Sequence, residues 1–385
     1  MRRLALLPAL AFLLAACDSD GVVPGGAVYR TDGTDYPNAV TRLAEGGLAV
    51  GVLTEGTIAP ADGTIGFPGV VRFDAGGELE SAEVYRADER DFSGVEGVAP
   101  LGRGLAVAVV EDERAVVYET DGRGRRRGVL FRTETAAYLP SNALVATPGG
   151  LVLRVSPRTV ADPHLYALDA DGDVRWTYRL SEASLLAVVP AGSGGDLFVV
   201  GYGAEGGAVV ARLSDTGAER WRRDVADAGT HVVAAVGEGL ALAFDRIPTA
   251  PEGDTPDDDR VQEVRVARLD GEGRTVWART VASASLADGG LRASALAGLA
   301  DGGVALALVQ GGGFEQGTWA SVRLLAPDGG ELRAVTVGDP DRASTFVTHL
   351  LAAPGRLTAV SAVGPERLGG YGGDDFDVVV SRVAL

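Results

Sequence analysis

Two acidic runs hold the densest concentrations of metal-ligating side chains: Glu252, Asp254, Asp257, Asp258 and Asp259, then Asp374, Asp375 and Asp377. Calcium is held by several oxygens at once, which a bent acidic loop supplies from carboxylates and backbone carbonyls, so both runs are candidate calcium sites. In so acidic a chain the plainer reading of each is a solvated surface loop. Asp169, Asp171 and Asp173 alternate in a similar way, but Gly172 stands at the fourth place of that segment and not the sixth that an EF-hand loop needs. That segment reads as a turn. Four aromatic residues near long loops, Tyr202, Phe314, Trp319 and Tyr371, are candidates for stacking a sugar ring or anchoring a partner. The only histidines, His164, His231 and His349, lie too far apart in sequence to suggest a shared metal. Ser193 lacks the GxSxG arrangement of a nucleophile elbow, and Gly311 to Gly313 lack the strand-to-helix context of a phosphate cradle. No catalytic residue is assigned, no cofactor is required, and calcium is the one ion the sequence offers to bind.

The elements that would carry these residues recur. One unit is a strand, an Asp/Gly turn and a second strand, as in LYALDADGDVRWTYRL and VRVARLDGEGRTVWARTV. Its turn glycines are Gly76, Gly122, Gly172, Gly217, Gly273 and Gly329, spaced by 46, 50, 45, 56 and 56 residues. A second unit, a Gly-led turn opening an apolar strand, is anchored on Gly47, Gly104, Gly150, Gly195, Gly239, Gly303 and Arg356 and occurs seven times to the first unit's six. The ends of the chain account for the difference. The chain stops on DVVVSRVAL, a hairpin strand whose partner is missing, and Ala27 to Arg30 can supply it. The expected fold is therefore all-β: a single seven-bladed propeller of four-stranded blades, closed by an N-terminal strand that completes the last blade. In the fifth blade the strands read as His231 to Val236, Leu240 to Asp245, Val261 to Leu269 and Thr275 to Val281. Trp176, Trp221 and Trp277 each follow a turn glycine by four residues, which marks them as packing between blades. The long loops Thr54 to Pro68, Arg246 to Arg260, Gln310 to Thr318 and Gly364 to Asp375 all join a second strand to a third. They point to a working face on that side of the disc, the alternative being that they are surface insertions the fold tolerates.

The first residues, MRRLALLPALAFLLAAC, are a positive pair, an apolar stretch and a small-residue cleavage site. Leu14, Ala15, Ala16 and Cys17 resemble the lipobox of bacterial lipoproteins, which implies acylation of the Cys17 sulfur and cleavage before it. The expected organisation is a signal peptide over 1–16, a lipidated tether over 17–25 and the propeller over 26–385. Cys17 is the only cysteine, so disulfides, zinc clusters and thiol chemistry are excluded from the rest of the chain. The basic residues number 35, all arginine, against 53 acidic ones. So negative a surface repels nucleic acid and anionic headgroups, and the lipid is the expected membrane contact.

The repeats resemble those of PQQ-like propellers, LYALDADGDVRWTYRL most of all, and GGYGGDDFDVVVSRV is similar to Gly-rich propeller repeats of secreted bacterial proteins. Through anchor and fold the chain is similar to the propeller lipoprotein of the outer-membrane β-barrel assembly machine, usually described with eight blades. That resemblance implies a non-catalytic, monomeric scaffold at the bacterial cell envelope with a protein partner. The alternative is a carbohydrate-binding or carbohydrate-active propeller. The PQQ resemblance also raises a quinoprotein dehydrogenase, but the alcohol-oxidising members carry a vicinal cysteine pair that this chain lacks. Asp18, after the lipidated cysteine, resembles an inner-membrane retention signal of enterobacteria, so the choice of membrane stays open.

Overall fold

The Asp/Gly segments close their hairpins through one backbone pattern, which in several of them an aspartate caps. Asp169 Oδ1 accepts the amides of Asp171 and Asp173 at 3.0 and 2.9 Å, and Gly172 follows with φ of 91°. Asp121 does the same for Arg123 and Arg125, and Asp270 for Glu272 and Arg274. Beside each turn the strand pairing slips by one residue, for instance between Ala167 and Leu168 and between Arg268 and Leu269. This is a type I turn closed by a glycine bulge, whose last residue needs a positive φ that only glycine adopts cheaply. The glycine comes three residues after the capping position. In the first two repeats it is therefore Gly77 (φ 88°) after Asp74 and Gly124 (φ 90°) after Asp121, which corrects the assignment to Gly76 and Gly122.

The computed structural model describes residues 27–29, 35–54, 67–85, 94–159, 162–180, 183–203, 207–225, 230–246, 260–286, 289–311, 318–337, 343–365 and 376–383. They form seven four-stranded antiparallel sheets and one two-stranded ribbon. We letter the strands of each blade A to D from the axis outward. Blade 1 is Asp35–Arg42, Leu48–Thr54, Phe67–Phe73 and Leu79–Val84; blade 2 is Gly97–Leu101, Gly104–Glu111, Arg114–Thr120 and Arg126–Arg132. Blade 3 is Leu144–Thr147, Gly150–Arg154, Leu165–Leu168 and Val174–Tyr178, and blade 4 is Ala183–Ala191, Asp196–Gly203, Ala208–Leu213 and Glu219–Val225. Blade 5 is Thr230–Val236, Gly239–Arg246, Val261–Leu269 and Thr275–Ser285, and blade 6 is Leu291–Gly298, Val304–Gln310, Trp319–Leu325 and Glu331–Val337. Blade 7 takes Ala343–Ala353, Arg356–Pro365 and Asp377–Val383 from the end of the chain. Its strand D is Ala27–Tyr29, paired antiparallel with strand C through Ala27 and Val380, Val28 and Val379, and Tyr29 and Val378.

Each strand A touches strand A of both neighbouring blades, and the contact between blades 1 and 7 completes the ring. Buried apolar residues fall into seven clusters, one at each interface between blades. Strands B and C are buried on both faces between neighbours, so they read as near-continuous Val, Leu and Ala; strands D, on the rim, carry the arginines. In blade 5 strand D runs to Ser285, past the expected Val281, because Val261 to Glu263 go on pairing with Ser283 to Ser285.

Candidate functional site

At one level of the ring the pairing of strands A and B skips a residue on strand A, leaving Asn38, Leu186, His231, Ser294 and Thr348 as bulges in blades 1, 4, 5, 6 and 7. Glu96, immediately before the first paired residue of strand A in blade 2, and Asn142, immediately before Ala143, whose carbonyl takes the Arg154 amide in blade 3, hold the equivalent places. The next residue along is small or apolar in six blades, Ala39, Gly97, Ala143, Ala187, Val232 and Ala295, as seven strands crowding one axis require. In blade 7 it is His349.

The polar members of this level bond across the axis. The Asn142 amide donates to the Asn38 carbonyl at 3.2 Å, and Val40 donates back to Asn142 Oδ1 at 3.3 Å, joining blades 3 and 1, which are not neighbours. His349 Nε2 lies 3.1 Å from the same Oδ1, so blade 7 meets blade 3 as well. Because that oxygen is an acceptor, Nε2 carries the hydrogen. Asn38 Nδ2 donates to Glu96 Oε1 at 3.2 Å, and the Glu96 carbonyl takes the Ala143 amide at 2.7 Å. Asn142 adopts φ of 57°, a left-handed conformation that asparagine tolerates better than most residues. The channel is thus bridged at this level. Burial holds Glu96 protonated to unusually high pH, its pKa pushed up to about 7. Burial lowers His349 to about 4, an effect the Asn38 carbonyl partly offsets.

A second feature stands on the face where the B–C and D–A connections emerge. The linker between blades 2 and 3 forms a two-stranded ribbon, Ala137–Tyr138, with Ser156–Pro157 of blade 3. Arg158 makes a fork of two bonds to Glu113, at 3.0 and 2.8 Å, and a third to the Tyr138 hydroxyl at 2.8 Å. Its guanidinium lies 5.2 Å from the Tyr138 ring centre. Glu113 sits in the tight B–C turn of blade 2 with φ of 61°, beside Asp112 at 50°. Non-glycine residues pay strain there, and the Arg158 fork together with the bond from the Ala137 amide to the Glu113 carbonyl, 2.8 Å, holds the turn in place. The outcome is a braced tyrosine left 54 % exposed.

Of the residues singled out from sequence, Tyr202 lies in strand B of blade 4, half-buried, its hydroxyl pKa raised by burial and by Asp245. Trp319 opens strand C of blade 6 and is 38 % exposed, in register with Gln310. Both reach the same face as Tyr138. Asp377 opens strand C of blade 7, buried and in register with Val363. Phe314, Tyr371, Glu252, Asp254, Asp257, Asp258, Asp259, Asp374, Asp375 and Cys17 lie outside the described residues, as does most of each long B–C loop. Among the described residues no group of three or more His, Cys, Asp or Glu is placed to hold a metal. His164 Nδ1 accepts the Leu180 amide at 3.2 Å, far in the bonding scheme from His349. Sequence reasoning missed Tyr138, Arg158 and the Asn142–His349 bridge.

Known structures share this architecture. Sqt1 from Chaetomium thermophilum is 14 % identical over 92 % of this chain and 90 % of its own, with a TM-score of 0.52. The C-terminal WD40 domain of Sif2 is 12 % identical over 93 % and 99 %, with a TM-score of 0.50. A chain from the complex of Drosophila Plexin A with Semaphorin 1b is 10 % identical over 94 % and 88 %, also at 0.50. At these identities the likeness is one of fold. No curated protein matches the sequence. A family model does, in two overlapping segments, residues 70–298 and 161–356, that together take in well over half of the chain. By that match, on repeats whose turns and tryptophans the structure places between blades, the chain belongs to the PQQ-like propeller family described as outer membrane protein assembly factor BamB.

Proposed function

We propose that this chain is a non-catalytic scaffold of the bacterial cell envelope, anchored by a lipid on Cys17, that binds a protein partner through its B–C/D–A face. The observation that carries the reading is the Glu113–Arg158–Tyr138 brace, in which backbone strain and a two-bond fork are spent on presenting an exposed aromatic ring. Tyrosine and arginine on a rigid support are the side chains that anchor protein interfaces, since little conformational freedom is lost when they bind. Trp319 and the half-buried Tyr202 extend the aromatic character of that face to blades 6 and 4. The family description names an outer-membrane assembly factor, and one structural neighbour comes from a protein–protein complex, which fits the same role.

The test is site-directed photo-crosslinking in the native envelope, with a photoreactive residue at position 138 and affinity purification of wild type, Tyr138→Ala, Arg158→Ala and Cys17→Ser proteins. A single stoichiometric adduct at position 138, reduced at least tenfold in recovery by Tyr138→Ala, supports the reading. Recovery of the chain alone, or of the same partner irrespective of position 138, overturns it.

A further inference from the structure

Two arginines are almost wholly buried, and the fold treats them differently. Arg72, 9 % exposed, is met by Glu45 at 2.7 Å and Glu80 at 3.1 Å. Arg154, 7 % exposed, has no carboxylate within ion-pair distance among the described residues. One of its terminal nitrogens donates to the Ser141 carbonyl at 2.5 Å, and its Nε, like that of Arg72, has no partner; the missing carboxylate is what sets Arg154 apart. Burial alone moves its pKa, down to about 10, with no carboxylate pulling the other way. A chain with 53 acidic residues had ample means to supply a counter-charge.

The repeat shows how unusual the position is. Counting along strand B from the residue paired with the end of strand C, the places equivalent to Arg154 are Gly51, Ala108, Val200, Ala243, Ala307 and Val360. Six blades put a small or apolar residue where blade 3 puts a cation. The register partner of Val360 across strands A and B is His349, itself the polar exception among the small residues of strand A. Both exceptions converge on one dipeptide: Arg154 on the carbonyl of Ser141 and His349 on the side chain of Asn142. A buried charge without a partner is retained in a fold only when something compensates it.

We propose that Arg154, with the Ser141–Asn142 segment and His349, forms a binding site for a carboxylate at the B–C/D–A end of the channel. The guanidinium fork matches a carboxylate in two bonds, and Nε is the donor left for it. The site goes beyond the scaffold reading and shares no residue with the Glu113–Arg158–Tyr138 brace, so either can fail alone.

The experiment uses the purified full-length protein in detergent at pH 7, with melting followed at constant ionic strength in chloride and in carboxylate salts. Succinate stands for a free small carboxylate; a short peptide with a free C-terminus, against its C-terminal amide, stands for the carboxylate of a protein partner. The wild type is expected to melt a few degrees higher with at least one of these probes than in matched chloride. Arg154→Met is expected to melt in chloride at or above the wild type and to show no response. Succinate alone acting identifies a small ligand, and the free peptide alone acting identifies a partner. Imidazole signals of His349, followed by NMR, should shift on addition of the active probe in the wild type and stay in place in Arg154→Met. No response from the wild type to either probe overturns the proposal, as does a response that survives in Arg154→Met.

Discussion

The indole nitrogen of Trp176, in strand D of blade 3, donates a 2.9 Å hydrogen bond to the Asp215 carbonyl, in the C–D turn of blade 4. Trp221 reaches Gly271 at 3.0 Å and Trp277 reaches Pro327 at 2.7 Å, each again in the turn of the following blade. Each ring packs against the turn glycine: a Cβ built on Gly217 would come within 2.6 Å of Trp176, one on Gly273 within 2.7 Å of Trp221, and one on Gly329 within 2.9 Å of Trp277. The glycine is needed twice, for its φ and for its missing side chain. Where no tryptophan is present other donors serve. Tyr85 donates to the Gly124 carbonyl at 2.7 Å between blades 1 and 2, and Arg356 and Arg382 reach the Ala75 carbonyl at 2.9 and 2.8 Å between blades 7 and 1.

Gly217→Ala is therefore expected to destabilise the protein by about 2 to 3 kcal/mol, positive φ and overlap with Trp176 adding together. Trp176→Phe keeps most of the packing and loses the bond to Asp215, for about 1 kcal/mol. Urea unfolding curves check both. Equal midpoints for Gly217→Ala and wild type would show that the indole does not rest on that turn.

The last blade borrows its outer strand from the other end of the chain, and Tyr29 fixes it. Its ring is 7 % exposed, in a cluster with Leu48, Val50 and Phe73 of blade 1 and Val360, Val378 and Val380 of blade 7. Burial and the nearby Asp35 raise its hydroxyl pKa, and Thr54 bonds it. Tyr29→Ala should cost about 3 to 4 kcal/mol, as deletion of a buried aromatic ring does. Tyr29→Phe should cost about 1 kcal/mol. If Tyr29→Ala melts with the wild type, the terminal strand does not hold the ring closed.

Asp196 offers a test of the arginines between blades. It is buried at the start of strand B in blade 4 and takes Arg212 Nε at 2.9 Å and Arg220 Nη2 at 2.9 Å. Arg212, so held, bonds the Gly271 carbonyl that also receives Trp221. Asp196→Ala should destabilise by about 3 kcal/mol, since it strands a mostly buried guanidinium. Restoring part of that loss by the second change Arg212→Met would confirm the cause.

What the sequence disclosed and what it hid follow from periodicity. The Asp/Gly turns recur in six blades, the Gly-led apolar strands in all seven and the tryptophan spacing in three, so blade count, strand order and the role of Trp176, Trp221 and Trp277 were legible. Strand C of blade 5 was placed at Val261–Leu269 as found, because both its ends abut breaks in the pattern. The bridge of Asn38, Glu96, Asn142 and His349 was not legible, because these residues meet through ring closure, 207 positions apart for Asn142 and His349. Arg154 was lost in an apolar run whose period said only that the strand is buried. Glu113 and Arg158 lie 45 residues apart, joined by a turn whose left-handed residues are not glycines.

The bridge makes a prediction with opposite signs in its two halves. His349 titrates near 4 in the fold and at 6.5 unfolded, so between these values the unfolded chain binds the extra proton and stability rises with pH. Glu96 titrates near 7 in the fold and at 4.5 unfolded, so there the folded chain binds the extra proton and stability falls with pH. Each slope is about 1.4 kcal/mol per pH unit at most, and over the shared window from 4.5 to 6.5 the two oppose each other. Glu96→Gln keeps the bond to Asn38 and removes one slope; His349→Gln keeps a donor for Asn142 and removes the other. Measured as differences from wild type, so that the remaining carboxylates cancel, Glu96→Gln should gain stability as pH rises through the window and His349→Gln should lose it. Slopes of the same sign in both variants would mean that the two groups do not titrate as the bridge requires.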